Sequence, residues 1–384
     1  MSDFAIEPLI HDAWYIGAWS HELDGGPIAR RILGEDVVLF RSGDGTAAAL
    51  EDRCCHRGVK LSLGAPVEQG LQCGYHGLVF DGGGACVVNP GEKPIPAFRV
   101  RAFPVVERQH FVWIWMGDPA QADPGLIVDF AWHDRTDEWN FHYARYDIAA
   151  NYMFMIDNLM DLTHLGYVHT STIGGNPGEH DDAELTTTRT ERGARYVRWM
   201  MESTPPPSFV KVAGFEGKVD RWQDFEYVAP ASVLQWGGGH DSGTGGRENR
   251  EKPGGMAVRL FHHATPADAE NFHYFFSTAV RGQALDSPAN TASTPTFSKR
   301  FSRTRSSSRR SRKRSARTRR ASSSCAATTR RWPTAAGRSG RCGKPNLPPQ
   351  RNDRDCLGRV QRRLPGSGSR PGALRKRRVR RTGP

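Results

Sequence analysis

The chain has 384 residues, of which 38% are hydrophobic, and a formal net charge of +12 at pH 7. This length is enough for two or three domains with hydrophobic cores, and seven cysteines are too few for a disulfide scaffold of that size. No stretch approaches a transmembrane span, and the N-terminus has no basic region followed by an apolar run, so we expect a soluble, cytoplasmic protein.

The positive charge is confined to the end of the chain. Residues 301–384 contain 27 lysines and arginines and two acids, Asp353 and Asp355, whereas the first 300 residues contain 26 basic and 39 acidic residues. An acidic globular body is therefore followed by a strongly basic tail, and the two parts need separate explanations.

The first chemical signal is the segment CCHRGVKLSLGAPVEQGLQCGYHG, which contains a C-x-H pair and, after sixteen residues, a C-x-x-H pair. The candidate ligands are Cys54, His56, Cys73 and His76. Two thiolates and two imidazoles can bind one tetrahedral zinc ion. They can equally bind a [2Fe–2S] cluster, with both cysteines on one iron and both histidines on the other.

The flanking sequence favours the cluster. Glycine follows each ligand pair, at Gly58 and Gly77, where backbone amides would approach the sulfides. Strand-like runs on both sides, such as RRILGEDVVLF and FVWIWMGDP, predict ligand loops at the tips of a small antiparallel β-structure, the arrangement that holds a Rieske cluster. A zinc finger would usually present its histidines on a helix. Cys55 and Cys86 are expected to be packing thiols.

The second signal is NYMFMIDNLMDLTHLGYVH, which has apolar residues at helical spacing and two histidines five residues apart. Residues five apart on an ideal helix differ by about 140° around its axis. His164 and His169 can therefore bind one ion only if the helix ends or distorts between them, as Gly166 would permit. With a carboxylate, two histidines form the facial triad of non-haem iron oxygenases. Such an iron needs single electrons of the kind that the first site would deliver.

With these residues, the chain resembles the oxygenase component of a Rieske non-haem iron oxygenase, and most of all the vanillate O-demethylase and dicamba O-demethylase branch. The Rieske pattern matches at the four ligands, and the acid-x3-acid-x2-His-x4-His pattern of the family matches DNLMDLTHLGYVH in every position. The segment HYFFSTAVRGQALDSPANTA also resembles that branch, so the likeness extends to about residue 292.

The resemblance implies an α+β fold in three parts: a β-rich Rieske domain at 1–125, a helix-grip catalytic domain at 126–292, in which a curved antiparallel sheet covers the iron, and the tail at 293–384. It also implies a head-to-tail homotrimer. In that trimer Asp161 would link His76 of the partner subunit to His164, and Asn158 would lie close to the iron.

The resemblance further implies the chemistry. Electrons from NADH would arrive through a separate flavin and iron–sulfur reductase, because this chain contains no convincing nucleotide-binding fingerprint. With O2, a methoxylated aromatic acid would be hydroxylated on its methyl carbon, and the hemiacetal would collapse to a phenol and formaldehyde. Ring dihydroxylation is the sibling outcome, which metal ligands do not distinguish. His262 or His263 could bind the substrate carboxylate, but a position in the core or at the surface is an equally open explanation. For Trp236, a position in the core is equally open.

One ligand is missing from the sequence. The family takes its iron carboxylate from a late helix, commonly in a Glu-Asp-Lys context, whose expected position here falls near residue 303. The sequence there, FSRTRSSSRRSRKRSARTRRASSS, contains no acid. Asp286 falls short of that helix, and Asp353 and Asp355 lie deep in the tail, so none is a good substitute.

Three explanations of the tail remain: an Arg/Ser segment that binds nucleic acid through phosphates, a disordered extension of no consequence, or translation in the wrong frame. With suitable codons for FSRTRSSSRR, reading one base earlier gives Leu-Glu-Asp-Lys-Val-Ile-Leu-Glu-Ala, an amphipathic helix with the expected motif. We therefore hypothesise that the natural sequence stops near Ser293. The mononuclear site would then lack its carboxylate and bind Fe(II) weakly or not at all.

The sequence thus predicts the terminal oxygenase of a vanillate-demethylase-like system, with a [2Fe–2S] Rieske cluster and a mononuclear Fe(II) site damaged at its C-terminal end. Two alternatives stay open: an aromatic-ring dihydroxylating oxygenase, and an Arg/Ser-tailed nucleic-acid-binding protein with a redox-sensing Rieske domain. We expect no membrane partner, and nucleic acid is the less favoured partner.

Overall fold

The computed structural model describes residues 9–281, which form β-strands with four short α-helices. The predicted tail at 293–384, the carboxylate position near residue 303 and Asp286 lie outside the described residues. No helix among residues 9–281 combines the length and apolar character needed to cross a bilayer.

The N-terminal part consists of three antiparallel sheets, with strand orders β1-β11-β10, β2-β3-β4-β9 and β5-β6-β7-β8. Their bounds are β1 Ala13–Trp19, β2 Ile28–Ile32, β3 Glu35–Arg41, β4 Ala47–Glu51, β5 Ala65–Val67, β6 Gly70–Gln72, β7 Val79–Phe80, β8 Cys86–Val88, β9 Ala102–Phe103, β10 Val105–Arg108 and β11 Phe111–Met116. The two predicted ligand loops follow β4 and β6, as expected for loops at strand ends.

The C-terminal part is one seven-stranded antiparallel sheet in the order β12-β18-β17-β16-β15-β14-β13. Its strands are β12 Trp139–Ile148, β13 Glu184–Thr190, β14 Gly193–Ser203, β15 Val219–Val228, β16 Ser232–Asp241, β17 Met256–Asp268 and β18 Asn271–Arg281. The chain crosses from β12 to β13, at the opposite edge, through α1 Met153–Met160, α2 Leu165–Val168 and α3 Pro177–Asp181; α4 Pro207–Ala213 connects β14 to β15. This is the predicted α+β architecture, with helices on a curved sheet.

Alternate residues of a strand point to opposite faces of the sheet, and strands such as β17 and β18 are buried on both faces. On one face, Tyr274 and Phe276 of β18 belong to the same apolar cluster as Met155, Ile156 and Leu159 of α1. On the other face, Phe261 and Phe275 pack with a tryptophan-rich cluster that includes Trp14, Trp19, Trp113 and Trp115. Residues of β1 and β11 contribute to both clusters, Tyr15 and Ile114 to the first and Trp14 and Trp113 to the second.

Backbone hydrogen bonds join the N-terminal part to β17. The amides of Leu33 and Gly34 donate to the carbonyls of Pro266 and Ala267 at 2.9 and 2.7 Å, and the Thr265 hydroxyl donates to the Ile16 carbonyl at 2.7 Å. The predicted domain boundary near residue 125 falls in the segment between β11 and β12 and stays a prediction.

Candidate functional site

The two cysteine–histidine loops have the same backbone geometry. In the first, the Cys54 amide donates to the Val59 carbonyl at 2.8 Å, and the Gly58 amide donates back to the Cys54 carbonyl at 2.9 Å. The second loop repeats this pattern. The Cys73 amide donates to the Leu78 carbonyl at 2.8 Å, and the Gly77 amide donates back to the Cys73 carbonyl at 3.1 Å. Gly58 and Gly77 both have positive φ, 69° and 73°, a conformation that favours glycine and explains why glycine follows each cysteine–histidine pair.

These loops bring the candidate ligands together in two pairs, the two cysteines and the two histidines. The Cys54 and Cys73 side chains are buried and interact with each other. The rings of His56 and His76 are exposed, with centroids 4.6 Å apart. Burial, and then the neighbouring Cys73 thiol, raises the pKa of the Cys54 thiol to about 11, so a bound cation is needed to hold it as thiolate. A buried thiol pair beside an exposed imidazole pair fits a cluster two irons wide.

Other residues around the loops were not predicted. The Asp52 carboxylate accepts hydrogen bonds at 2.7 Å from both the amide and the hydroxyl of Ser62, and so anchors the segment after the first loop. The exposed Tyr75 ring packs on His76 at 3.9 Å. Cys86 is buried, as predicted, and donates to the Val88 carbonyl at 3.3 Å. Cys55, however, is exposed, so the prediction of a packing thiol does not hold there.

The histidine pair lies at the two ends of one short helix. Helix α1 ends at Met160, and His164 and His169 flank α2. Their ring centroids are 5.3 Å apart at 67°. Helix α2 ends at Val168, and His169 has the non-helical angles φ −116° and ψ 25°, so the predicted end of the helix falls between the two histidines. Gly166 does not distort the helix as predicted; it lies inside α2, where a Cβ would come within 2.7 Å of Pro177 Cα.

The two acids and the asparagine of this segment differ in environment. Asp157 and Asp161 are exposed, and Asn158 is half-buried on α1. The Asp161 carboxylate accepts hydrogen bonds from the amide and hydroxyl of Thr163 at 2.9 and 2.6 Å. Burial opposes the ionised form, but these hydrogen bonds, His164 and a nearby arginine together hold the pKa of Asp161 below its usual value. Asp161 is thus an oriented, ionised carboxylate at the surface.

The consecutive histidines of β17 face opposite sides of the sheet. His262 is fully buried; its Nδ1 lies 2.7 Å from the Tyr274 hydroxyl, and its ring stacks on Phe276, on the side of α1. His263 faces the N-terminal part, where its Nε2 accepts the Ile16 amide at 3.3 Å. Only His262 therefore lies on the face predicted to cover the iron.

Trp236 is half-buried; it packs against the tryptophan-rich cluster on the other face, next to the Arg195 guanidinium. Within residues 9–281, no three His, Cys, Asp or Glu side chains converge in the geometry of a single-ion site. The predicted carboxylate partner of His164 and His169 lies outside this part of the chain.

Family comparisons agree with this geometry. A model of the Rieske [2Fe-2S] domain matches residues 13–100, and a model of the vanillate O-demethylase oxygenase C-terminal domain matches residues 148–307. The second match ends at residue 307, so the likeness extends beyond the predicted limit near residue 292.

Individual proteins also match. A putative toluene-4-sulfonate monooxygenase system iron-sulfur subunit of Comamonas testosteroni is 41% identical over 289 residues, 74% of this chain and 82% of the relative. The vanillate O-demethylase oxygenase subunit of Pseudomonas sp. (strain HR199 / DSM 7063) is 36% identical over 276 residues, 70% of this chain and 76% of the relative. The crystal structure of dicamba monooxygenase with non-heme iron and dicamba superposes with a TM-score of 0.62 at 32% identity, covering 73% of this chain and 80% of that one.

Proposed function

We propose that this chain O-demethylates a methoxylated aromatic acid such as vanillate. The chain belongs to the Rieske non-haem iron oxygenases with a vanillate O-demethylase-type C-terminal domain. Its cofactors are a Rieske [2Fe–2S] cluster and a mononuclear non-haem iron. The observation that carries the proposal is the presence, in one chain, of the Cys/His loop pair and of the His164–His169 pair. The names of the relatives, which include vanillate, dicamba and toluene-4-sulfonate, support an aromatic substrate.

In this proposal Cys54 and Cys73 hold one iron of the cluster, His56 and His76 hold the other, and His164 and His169 hold the mononuclear iron. When bound, the cluster supplies electrons one at a time and the mononuclear iron activates O2. The exposure of both cluster histidines supports their use as the outlet for electrons, because an imidazole edge at the surface can contact a neighbouring protein.

Asp161 is proposed to connect the two metal sites of adjacent subunits. It is exposed, ionised and oriented by Thr163, so it can accept hydrogen bonds from two imidazoles, those of His164 and of His76 of the partner subunit. Asn158, one turn earlier on α1, is proposed to support the iron site.

Exposed apolar side chains support a head-to-tail homotrimer. Leu63 and Tyr75, beside the cluster loops, are 75% and 61% exposed, and Phe154 and Tyr167, on α1 and α2, are 64% and 67% exposed. Two apolar patches at the two metal sites are what one subunit needs to dock its cluster against the iron of the next. Sedimentation of the unmodified chain and of Leu63→Glu tests this: we expect a trimer for the first and dissociation for the second. A monomeric mass for the unmodified chain would contradict the trimer, and a trimeric mass for the variant would contradict the contact at Leu63.

His262 is proposed to contact the carboxylate of the substrate. Its hydrogen bond with Tyr274 and its stacking on Phe276 hold the ring in one orientation on the helix side of the sheet. A fixed imidazole can donate one N–H to an anionic substrate, which would favour an aromatic acid over a neutral ring.

We also propose that this chain is impaired, because its mononuclear site lacks the expected carboxylate. The tail contains no acid near residue 303, and the frame explanation predicts the lost Glu-Asp-Lys helix there. The basic tail is the one observation that favours a nucleic-acid partner instead, and RNA binding that disappears on truncation at residue 293 would support it.

Three measurements test the proposal. The visible spectrum and the iron content of the purified chain should report the cluster and about two irons per chain. A frame-corrected version should contain about one more iron and release formaldehyde from vanillate with NADH and a reductase. DNA sequencing across codons 285–310 tests the frame itself. A chain without cluster absorption, or a corrected chain that binds a third iron but yields a ring diol, would refute the demethylase proposal.

A further inference from the structure

Two buried arginines on neighbouring strands meet at one histidine beneath the His164–His169 segment. Arg198 of β14 and Arg221 of β15 are 6% and 2% exposed, and His180 of α3 is equally buried. The Arg198 Nη1 lies 3.1 Å from His180 Nδ1, and the Arg221 Nη2 lies 3.1 Å from His180 Nε2. Both guanidinium groups thus contact opposite edges of one imidazole.

The hydrogen bonds determine the protonation of this imidazole. His180 Nε2 lies 2.6 Å from the Gly174 carbonyl and therefore carries the proton, while Nδ1 accepts the Arg198 N–H. Burial lowers the pKa of His180, and both arginines lower it further. The Arg221 Nη2 donates to the same Gly174 carbonyl at 3.0 Å, so this oxygen receives two donors.

Each arginine also donates a hydrogen bond to a backbone carbonyl next to the His164–His169 segment, one before it in the chain and one after it. Arg198 donates to the Leu162 carbonyl at 3.4 Å, two residues before His164. Arg221 donates to the Ile173 carbonyl at 3.4 Å, four residues after His169. The Gly174 amide donates to the His169 carbonyl at 2.9 Å, which connects this end directly to the second histidine.

Helix α3 also packs directly on α2. A Cβ on Gly166 would lie 2.7 Å from Pro177 Cα and 3.3 Å from His180 Cδ2, so only glycine lets the two helices approach this closely. The His180 ring therefore packs against α2, the one-turn helix between His164 and His169.

Burying two guanidinium groups costs free energy, which indicates that the arrangement serves to position the segment around it. Buried guanidinium groups need partners, and the Nε atoms of Arg198 and Arg221 have none in the described part of the chain. Their positive charges are balanced at longer range, by Asp161 and Asp181 for Arg198 and by Glu179 for Arg221. Apolar residues of similar volume would often be as stable at such positions.

We propose that Arg198, His180 and Arg221 are positioning residues that together form a clamp. The clamp sets the spacing of His164 and His169 and the direction of the turn formed by residues 161–163. The inference rests on the proposed function, in which those two histidines hold the mononuclear iron. The clamp acts through the backbone carbonyls of Leu162, Ile173 and Gly174.

Amide hydrogen exchange of the full chain, followed by mass spectrometry, tests the clamp. In Arg198→Met and in Arg221→Met, peptides covering residues 161–175 should exchange about tenfold faster, since a hydrogen bond to a charged group is lost, while other peptides keep their rates. In Arg198→Ala, added guanidinium chloride should restore protection, and sodium chloride at equal concentration should not. Arg195→Met is the matched control, because Arg195 lies on the same strand, faces the other side and pairs with Asp224.

The outcomes separate the clamp from other roles. Unchanged exchange at 161–175, or an equal increase in every peptide, would overturn the proposal; the second result would mean only a general loss of stability. If either methionine variant fails to fold, Arg198→Lys, which keeps the charge but loses the forked donor, gives the same test. Absence of cluster absorption in the unmodified chain would refute the proposed function, while the exchange data would still decide the clamp.

Discussion

The contact between the N-terminal part and the sheet should weaken in acid because of two buried histidines. His263 accepts the Ile16 amide at Nε2 and shares a 2.8 Å hydrogen bond with Ser232 at Nδ1, so a second ring proton would face an N–H group. Burial lowers the pKa of His263 to about 3. Burial also lowers the pKa of His133 to about 4, against the opposing effect of its hydrogen bond to the Gln109 carbonyl.

The magnitude follows from proton linkage. Both folded-state pKa values lie below the unfolded value of about 6.5, so the unfolded chain binds more protons between about pH 4 and 6.5. The stabilisation is complete above that window and is lost as the pH falls through it. Each histidine changes the free energy of unfolding by about 1.3 kcal/mol per pH unit, and the two together by about 4 kcal/mol between about pH 6.5 and 4.5. A loss of this size is a large part of the stability of a typical domain.

Denaturant unfolding followed by tryptophan fluorescence from about pH 4.5 to 7 measures this slope. We expect His263→Gln to be less stable than the unmodified chain at neutral pH but to have a pH slope smaller by about 1.3 kcal/mol per unit. His11→Gln, which removes an exposed histidine, is the control and should leave the slope unchanged. Cluster loss in acid affects all three proteins alike, so the difference in slope is the readout. Equal slopes for His263→Gln and the unmodified chain would refute the reasoning.

Three further changes have defined outcomes. Cys73→Ser should abolish the visible cluster absorption and lower the iron content by about two per chain; retained absorption would remove Cys73 from the ligand set. In the frame-corrected chain, Asp161→Asn should preserve that absorption but slow turnover with NADH and reductase by about tenfold or more, and unchanged turnover would argue against Asp161 as the link. Gly64→Ala would place a Cβ 2.0 Å from the Gln72 carbonyl oxygen and should lower the free energy of unfolding by about 3 kcal/mol or more. Gly25→Ala, with open space around it, is the control and should change stability by less than about 1 kcal/mol.

The metal chemistry was readable from the sequence because ligand spacing is local. Two cysteine–histidine pairs followed by glycine require the same short loop twice, and the structure forms that loop at Cys54 and again at Cys73. The apolar spacing within residues 151–169 predicted a helix without fixing its ends, and α1 spans Met153–Met160 of that run. The resemblance to the family rested on these same short patterns, and the comparisons confirm it.

Tertiary structure decided what depends on contacts between distant segments. His262 and His263 are neighbours in the sequence, and only the register of β17 against β16 and β18 directs one to the helix side and the other to Ile16. The clamp of Arg198, His180 and Arg221 has no sequence signature, because its members come from two strands and a helix and meet at carbonyls rather than at a motif. A local pattern can predict candidate metal ligands, but the contacts around them form only when distant strands and the crossover helices pack together.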